Sequence, residues 1–197
     1  MDVRRSLVRD VTAKISGLKV GLTFLRRNTV GIGYYNMGRP IFQDYYVSNG
    51  VDYDATQAFV SKKTGQNVDV ETRVQLSMAY ISLFYEYRVL AHRKWNIDLT
   101  IQSGFGQAYI IAYNKANNRL APGYPHHIPI NLLEGSVLVQ YKIFTWFGAG
   151  AGVGYRHMLN PDDYVTSTFN YPIWILKFMI FPGKLLNVAK GKEKWYR

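Results

Sequence analysis

Cysteine is absent from all 197 residues, which excludes a disulfide framework, thiol catalysis and thiolate metal sites. No run of 18 apolar residues occurs, so no segment is written as a membrane-crossing helix. That absence leaves β-barrels untouched, because their strands alternate and defeat hydropathy windows. Acids are scarce, 13 against 24 Lys and Arg, for a formal net charge of +11. Such a surplus invites a nucleic-acid reading, but its distribution points elsewhere. Lys184, Lys190, Lys192, Lys194 and Arg197 against Glu193 give the C-terminal stretch +4, and Arg26-Arg27 with Arg93-Lys94 at two tight turns add 4 more. The N-terminus, Met1-Asp2-Val3-Arg4-Arg5, lacks the apolar core of a secretory signal. An exported protein is therefore expected here in a mature or trimmed form.

What the chain has in quantity is alternation. Residues 94–106 set Trp95, Ile97, Leu99, Ile101 and Phe105 on one face against Asn96, Asp98, Thr100, Gln102, Gly104 and Gly106 on the other. Successive side chains of a strand point to opposite faces, so this is an apolar wall backed by a polar one. Over 147–156 the contrast sharpens, with Phe147, Ala149, Ala151, Val153 and Tyr155 opposing Gly148, Gly150, Gly152, Gly154 and Arg156. A soluble barrel or sandwich would clothe its outer face in Lys, Glu and Thr rather than bare glycine. Turned inside out the pattern fits: apolar side chains meet lipid, while glycine and a few charges fill a tight lumen. The 16 Tyr suit the aromatic girdles of such a barrel.

Seven clear strands are expected over roughly 12–25, 29–37, 72–91, 94–113, 129–144, 147–159 and 168–181, each long enough for the ~9–11 residues of a tilted transmembrane strand. Their connections alternate in length. Residues 25–28, 91–94 and 145–146 are tight turns, whereas 38–71, 114–128 and 160–167 are long. Short turns on one side and long loops on the other is the asymmetry of bacterial outer-membrane barrels, with the short side periplasmic. Even strand counts require an eighth strand. Val3–Asp10 is the candidate, with 183–196 the poorer alternative because of its lysines. The expected fold class is all-β, an antiparallel transmembrane β-barrel of about eight strands with short periplasmic turns and long extracellular loops. Residues 1–183 form the barrel and 184–197 a basic periplasmic tail.

The stretch from Ser16 to Met37 resembles the opening hairpin of small outer-membrane β-barrel proteins of the Bacteroidota, a largely uncharacterised family. Asp2-Val3-Arg4-Arg5-Ser6-Leu7-Val8 looks like the segment such proteins carry after signal removal, and 147–156 is similar to their later Gly-alternating strand. The resemblance covers roughly a third of the chain and speaks for architecture. The basic stretch after 183, in place of a terminal aromatic strand end, departs from the pattern.

Strand parity sorts Lys19, Glu86, Arg88, Asp98, Glu134, Lys142, Arg156 and Lys177 into the lumen. An eight-stranded barrel is just wide enough for side chains to fill it, and a buried charge without a partner costs several kcal/mol. These residues are expected to pair as a plug that stiffens the barrel. The 38–71 loop holds Phe42, Tyr45, Tyr46, Asp52, Tyr53 and Asp54, aromatics among acids that suit contact with a protein or glycan partner. His126-His127 between prolines offers two metal ligands without a third, so no metal site is expected.

His157 lies near the outer interface, where a lipid A deacylase-like enzyme would use a His–Ser pair, with Ser103 and Ser167 as its potential partners. The glycine run 148–154 continues as strand instead of opening a helix, which argues against a phosphate loop. The expected function is a non-enzymatic outer-membrane barrel with a closed, salt-bridged lumen. It would be a structural or interaction subunit of an envelope complex for secretion or nutrient uptake, without cofactor. Outer-membrane lipids and envelope proteins are its expected partners, not nucleic acid. The alternatives are the lipid-modifying enzyme using His157 and, more distantly, a soluble lipid carrier.

Overall fold

A computed structural model describes residues 1–8, 11–47, 70–114, 126–159 and 169–191. These form β1 (Asp2–Val8), β2 (Val11–Phe24), β3 (Asn28–Met37), β4 (Ile41–Val47), β5 (Val70–Ala91), β6 (Trp95–Asn114), β7 (His126–Lys142), β8 (Phe147–Met158), β9 (Pro172–Ile180) and a helix, α1 (Pro182–Ala189). Every neighbouring pair is antiparallel, β1 joins β9, and β3 joins β5, so the sheet closes on itself. Asn36 sits opposite Ala79 while Ile41 sits opposite Leu76, so the register along β5 jumps by two residues across Gly38-Arg39-Pro40. β3 and β4 are thus one stave with a break, and the barrel has eight staves.

Following the registers once round from Arg4 returns to β1 about ten residues further along, a stagger that tilts the strands by roughly 40°. Tilted strands of this kind cross a bilayer in ~9–11 residues. β5 and β6, at 22 and 20 residues, therefore rise well beyond it on the long-loop side.

The barrel is inside out. Among the described residues 34 large hydrophobics are exposed, including Leu22, Ile32, Leu83, Ile101, Trp174 and Ile180. In water each would forfeit about 1.5–3 kcal/mol of burial, whereas a hydrocarbon surround recovers it. Where the short turns lie, rings of the outer surface touch in succession: Trp95 on Tyr141 at 4.6 Å, Phe144 on Trp146 at 5.8 Å, Trp146 on Phe147 at 5.9 Å and Phe147 on Phe178 at 6.5 Å. This is one aromatic girdle of a membrane barrel. The chain folds as an antiparallel transmembrane β-barrel.

Three sequence expectations change. The eighth strand is Asp2–Val8, which starts one residue before the expected Val3–Asp10, whose last two residues lie outside the described residues. The described part of 183–196 supplies no strand and is helical up to Ala189, because Pro182 at the first turn cannot donate to a ladder but suits a helix start. Residues 41–47 of the expected 38–71 loop are strand β4, which covers the edge of β5 that would otherwise stand unpaired. Phe42 lies on it facing outward, Tyr45 and Tyr46 pair through their backbones with Thr72 and Glu71, and Asp52, Tyr53 and Asp54 fall outside the described residues.

One turn is strained. Leu25 and Arg26 hold φ at 48° and 61°, the left-handed region that hairpins normally give to Asn and Gly. Replacing the pair by Asn-Gly (L25N/R26G) should stabilise the barrel by about 1 kcal/mol, read as a higher urea midpoint for unfolding from lipid vesicles.

Candidate functional site: the charged lumen

Polar parity on β1 places Asp2, Arg4 and Ser6 inside, each at most 4% exposed. Arg4 is the centre of the lumen. Its Nη2 donates to the Tyr35 hydroxyl at 2.7 Å, to Gln102 Oε1 at 2.9 Å and to Asp2 Oδ2 at 3.1 Å. Its Nη1 is paired with the Glu134 carboxylate, and its guanidinium lies 4.2 Å from the Tyr35 ring centroid. Glu134 is shared: Arg156 Nε donates to its Oε1 at 2.6 Å. Arg156 also donates to the Tyr80 hydroxyl at 3.4 Å. Tyr35 and Tyr80 stack with centroids 4.9 Å apart, so both arginines rest on one aromatic pair. Room for that pair comes from glycine: a Cβ on Gly17 would run into the Tyr35 ring, and one on Gly106 into the Tyr80 backbone.

Nearer the short turns lies a second cluster. Lys177 Nζ donates to Glu86 Oε1 at 2.5 Å, and Lys19 Nζ stands 3.6 Å from the same oxygen and 4.3 Å from the Phe84 ring centroid. Lys19 also reaches Asp2 at 4.0 Å, which joins the two clusters. Arg88 Nε donates to Asp98 Oδ1 at 3.1 Å, and Gln140 Nε2 to its Oδ2 at 2.7 Å. Five cations thus meet four carboxylates inside a protein that carries +11 overall. Most of the excess charge lies outside the lumen, as desolvation requires.

The lumen has three levels. Towards the long loops Ile15, Met37, Leu76, Met78, Ile110 and Leu132 pack as an apolar core, each at most 3% exposed. The Arg4–Glu134–Arg156 layer lies beneath it. Below that, a cavity of about 590 Å³ lined by Asp2, Lys19, Glu86, Arg88, Gln140 and Lys177 opens beside Phe181–Lys184. The expected plug is therefore part ionic and part hydrocarbon, with an open vestibule on one side.

Seven of the eight lumen residues read from parity join these clusters. Lys142 lies half-buried at the short-turn rim, where it lines a second cavity. Asp2, Arg4, Tyr35, Tyr80, Gln102 and Gln140 are members that sorting charges on the clear strands does not reach. The alternation Asp2, Arg4, Ser6 against Val3 and Arg5 was the available signal. His157 faces outward and is exposed; Ser103 and His157 occupy one cross-strand row with Leu133 between them, two strand spacings apart. That is about 10 Å, beyond hydrogen-bond reach; Ser167 lies outside the described residues. His127 packs edge-on against Tyr109 at 4.8 Å. Among the described residues no three His, Cys, Asp or Glu side chains gather as metal ligands.

Removing Arg4 takes one counter-charge from each of the buried carboxylates Asp2 and Glu134, leaving Lys19 at 4.0 Å and Arg156 at 2.6 Å to serve them. Arg4→Ala should destabilise the barrel by about 3–5 kcal/mol, while Lys142→Ala at the rim should cost less than about 1 kcal/mol. Urea unfolding from lipid vesicles, followed by tryptophan emission, separates the two.

No protein-family model matches this chain, and no curated protein matches it in sequence. Among solved structures, Ail, the attachment invasion locus protein of Yersinia pestis, solved in complex with the heparin analogue sucrose octasulfate, is similar at 10% identity. The likeness covers 91% of this chain and 92% of that one, with a TM-score of 0.46. At that distance the architecture rests on this chain's own strand registers.

Proposed function

We propose that this chain is a non-enzymatic barrel of a bacterial outer membrane that acts as a structural or interaction subunit of a larger envelope assembly, with its short turns in the periplasm. The observation that carries this reading is the pairing of an apolar, girdled outer face with a lumen stoppered by packed side chains. The outer face needs a bilayer, and the stopper leaves no bore for a channel among the described residues. The short-turn asymmetry and the resemblance to small Bacteroidota barrels supply the choice of membrane.

The lipid A deacylase-like alternative has less support, because Leu133 stands between Ser103 and His157. Work at the long-loop end falls to contacts instead. There β4, β5 and β6 continue as a sheet beyond the bilayer, and Phe42 is half exposed upon it. Such a projecting wall suits a protein or glycan partner.

Refolded into detergent, the chain should run on SDS gels as a compact band that shifts on boiling, and in planar bilayers it should carry no steady current. A chain that stays folded and soluble without detergent would make it a lipid carrier, and a stable ohmic conductance would make it a pore. His157→Ala should leave folding and envelope lipid composition unchanged; a change in lipid A acylation confined to that variant would establish the enzyme instead.

A further inference from the structure

Arg5 on β1 and Lys14 on β2 stand directly opposite one another in the ladder. Their chain neighbours Arg4, Ser6, Ala13 and Ile15 are buried inside, so both cations project from the outer face, where both are exposed. Trp174 of β9 faces Arg5 from the other side, 62% exposed, which makes one outward row of Lys14, Arg5 and Trp174. Met37, the partner of Ile15, is followed two residues later by the exposed Arg39, a third cation one stave over from Lys14. Among the described residues no carboxylate pairs with any of the three, in contrast to the cations of the lumen. Like charges directly opposite one another weaken a ladder, and β1 holds β9 by only four pairs. An oxyanion set between Arg5 and Lys14 turns that repulsion into two charge-assisted contacts.

Height on the barrel selects the kind of anion. From Lys14 to Phe24 the strand descends ten residues to the short-turn end, and at a tilt of roughly 40° each residue contributes about 2.5 Å of height. The product, ~25 Å, is the height of the apolar band on such barrels. Within it β2 turns Leu18, Val20, Leu22 and Phe24 outward, all exposed. Arg5 and Lys14 therefore mark the far edge of the band, at the headgroups of the leaflet on the long-loop side. A molecule seated there meets cations at its polar end, hydrocarbon below and an indole beside it.

We propose that Arg5 and Lys14, with Arg39 beside them, bind the phosphate of a phosphorylated glycolipid in the outer leaflet of the membrane. The proposal rests on the outer-membrane reading given above. The phosphate lies between the guanidinium and the ammonium group, the sugar ring along Trp174, and the acyl chains over the exposed Leu18 and Leu176. Trp174 favours a sugar over a plain glycerol headgroup, because an indole offers a broad flat face on which a ring can rest. A bound phosphate ties β1 to β2 beside the four-pair seam at which the barrel closes. Two basic residues at a membrane surface are worth roughly thirtyfold in binding anionic lipid. Diffuse attraction of that kind is shared by any two exposed cations, whereas a site requires these two.

The full chain is refolded in dodecyl maltoside and its gel shift on boiling is verified; a chain that does not shift counts against the barrel reading and not against the site. Native mass spectrometry then reads retention of bisphosphorylated lipid A, of its dephosphorylated form and of phosphatidylglycerol. Wild type should keep one bisphosphorylated lipid A in preference to the other two. R5Q/K14Q should bind it roughly thirtyfold more weakly, whereas R26Q/R27Q, with the same charge change at the opposite end of the barrel, should retain it. K14E, which gives Arg5 a partner within the protein, should shift on boiling like wild type and lose the preference, so the site is still tested if the double variant does not fold. Equal retention of the phosphorylated and dephosphorylated forms, or equal loss in both double variants, would overturn the site. Phosphatidylglycerol held as tightly as bisphosphorylated lipid A would overturn the glycolipid assignment.

Discussion

The contact between Arg4 and Glu134 holds together two parts of the molecule that the backbone leaves weakly joined. β1 is seven residues long, and its ladder with β9 spans only the four pairs from Asp2 to Arg5. By comparison β5 and β6 match nineteen residue pairs along one seam. The barrel is therefore closed at its thinnest ladder, and Arg4 reaches from that strand across the lumen to β3, β6 and β7 through Tyr35, Gln102 and Glu134. Low dielectric makes each of these bonds stronger than it would be in water and makes any missing partner costly. Closure and charge pairing thus stand or fall together.

From that contact the lumen organises outward in both directions. Above it the interior is hydrocarbon, so a through-path for ions would have to cross both a packed core and an ion-paired layer. Below it Lys19, Glu86 and Lys177 line a space open to the short-turn side, and their mutual pairing offsets the desolvation of these buried charges. The glycines of β8 belong to the same economy of space: a Cβ on Gly152 would press on the backbone and side chain of Leu138, so the β7 and β8 walls approach closely only without side chains there.

The outer surface divides labour differently. Among the described residues exposed hydrophobics are spread over β2, β3 and β5 to β9, whereas the tight turns carry Arg26, Arg27, Arg93 and Lys94. This separation keeps lysine and arginine out of the bilayer centre, where they cost ~2–4 kcal/mol each. It also places Arg26, Arg27, Arg93 and Lys94 at the end of the barrel that carries the aromatic girdle.

Period-two alternation, turn lengths and the glycine face of 147–156 were sufficient to define the barrel, its inside-out sense and most of its lumen charges. These are local features: once a residue lies in a strand, its neighbour's side is determined. What parity does not carry is who meets whom across the interior. Arg4 lay on the strand with the faintest pattern, and its partners are 31, 98 and 130 residues away in the chain. β4 was hidden for a related reason, since its stave is broken at Gly38-Arg39-Pro40 and it becomes a strand only because β5 offers it an edge. The sequence by itself determined which side of each of the seven clear strands would face lipid. Only the tertiary structure decided how the charges left inside would be shared, because ion pairing across a lumen depends on the stagger of all eight staves at once.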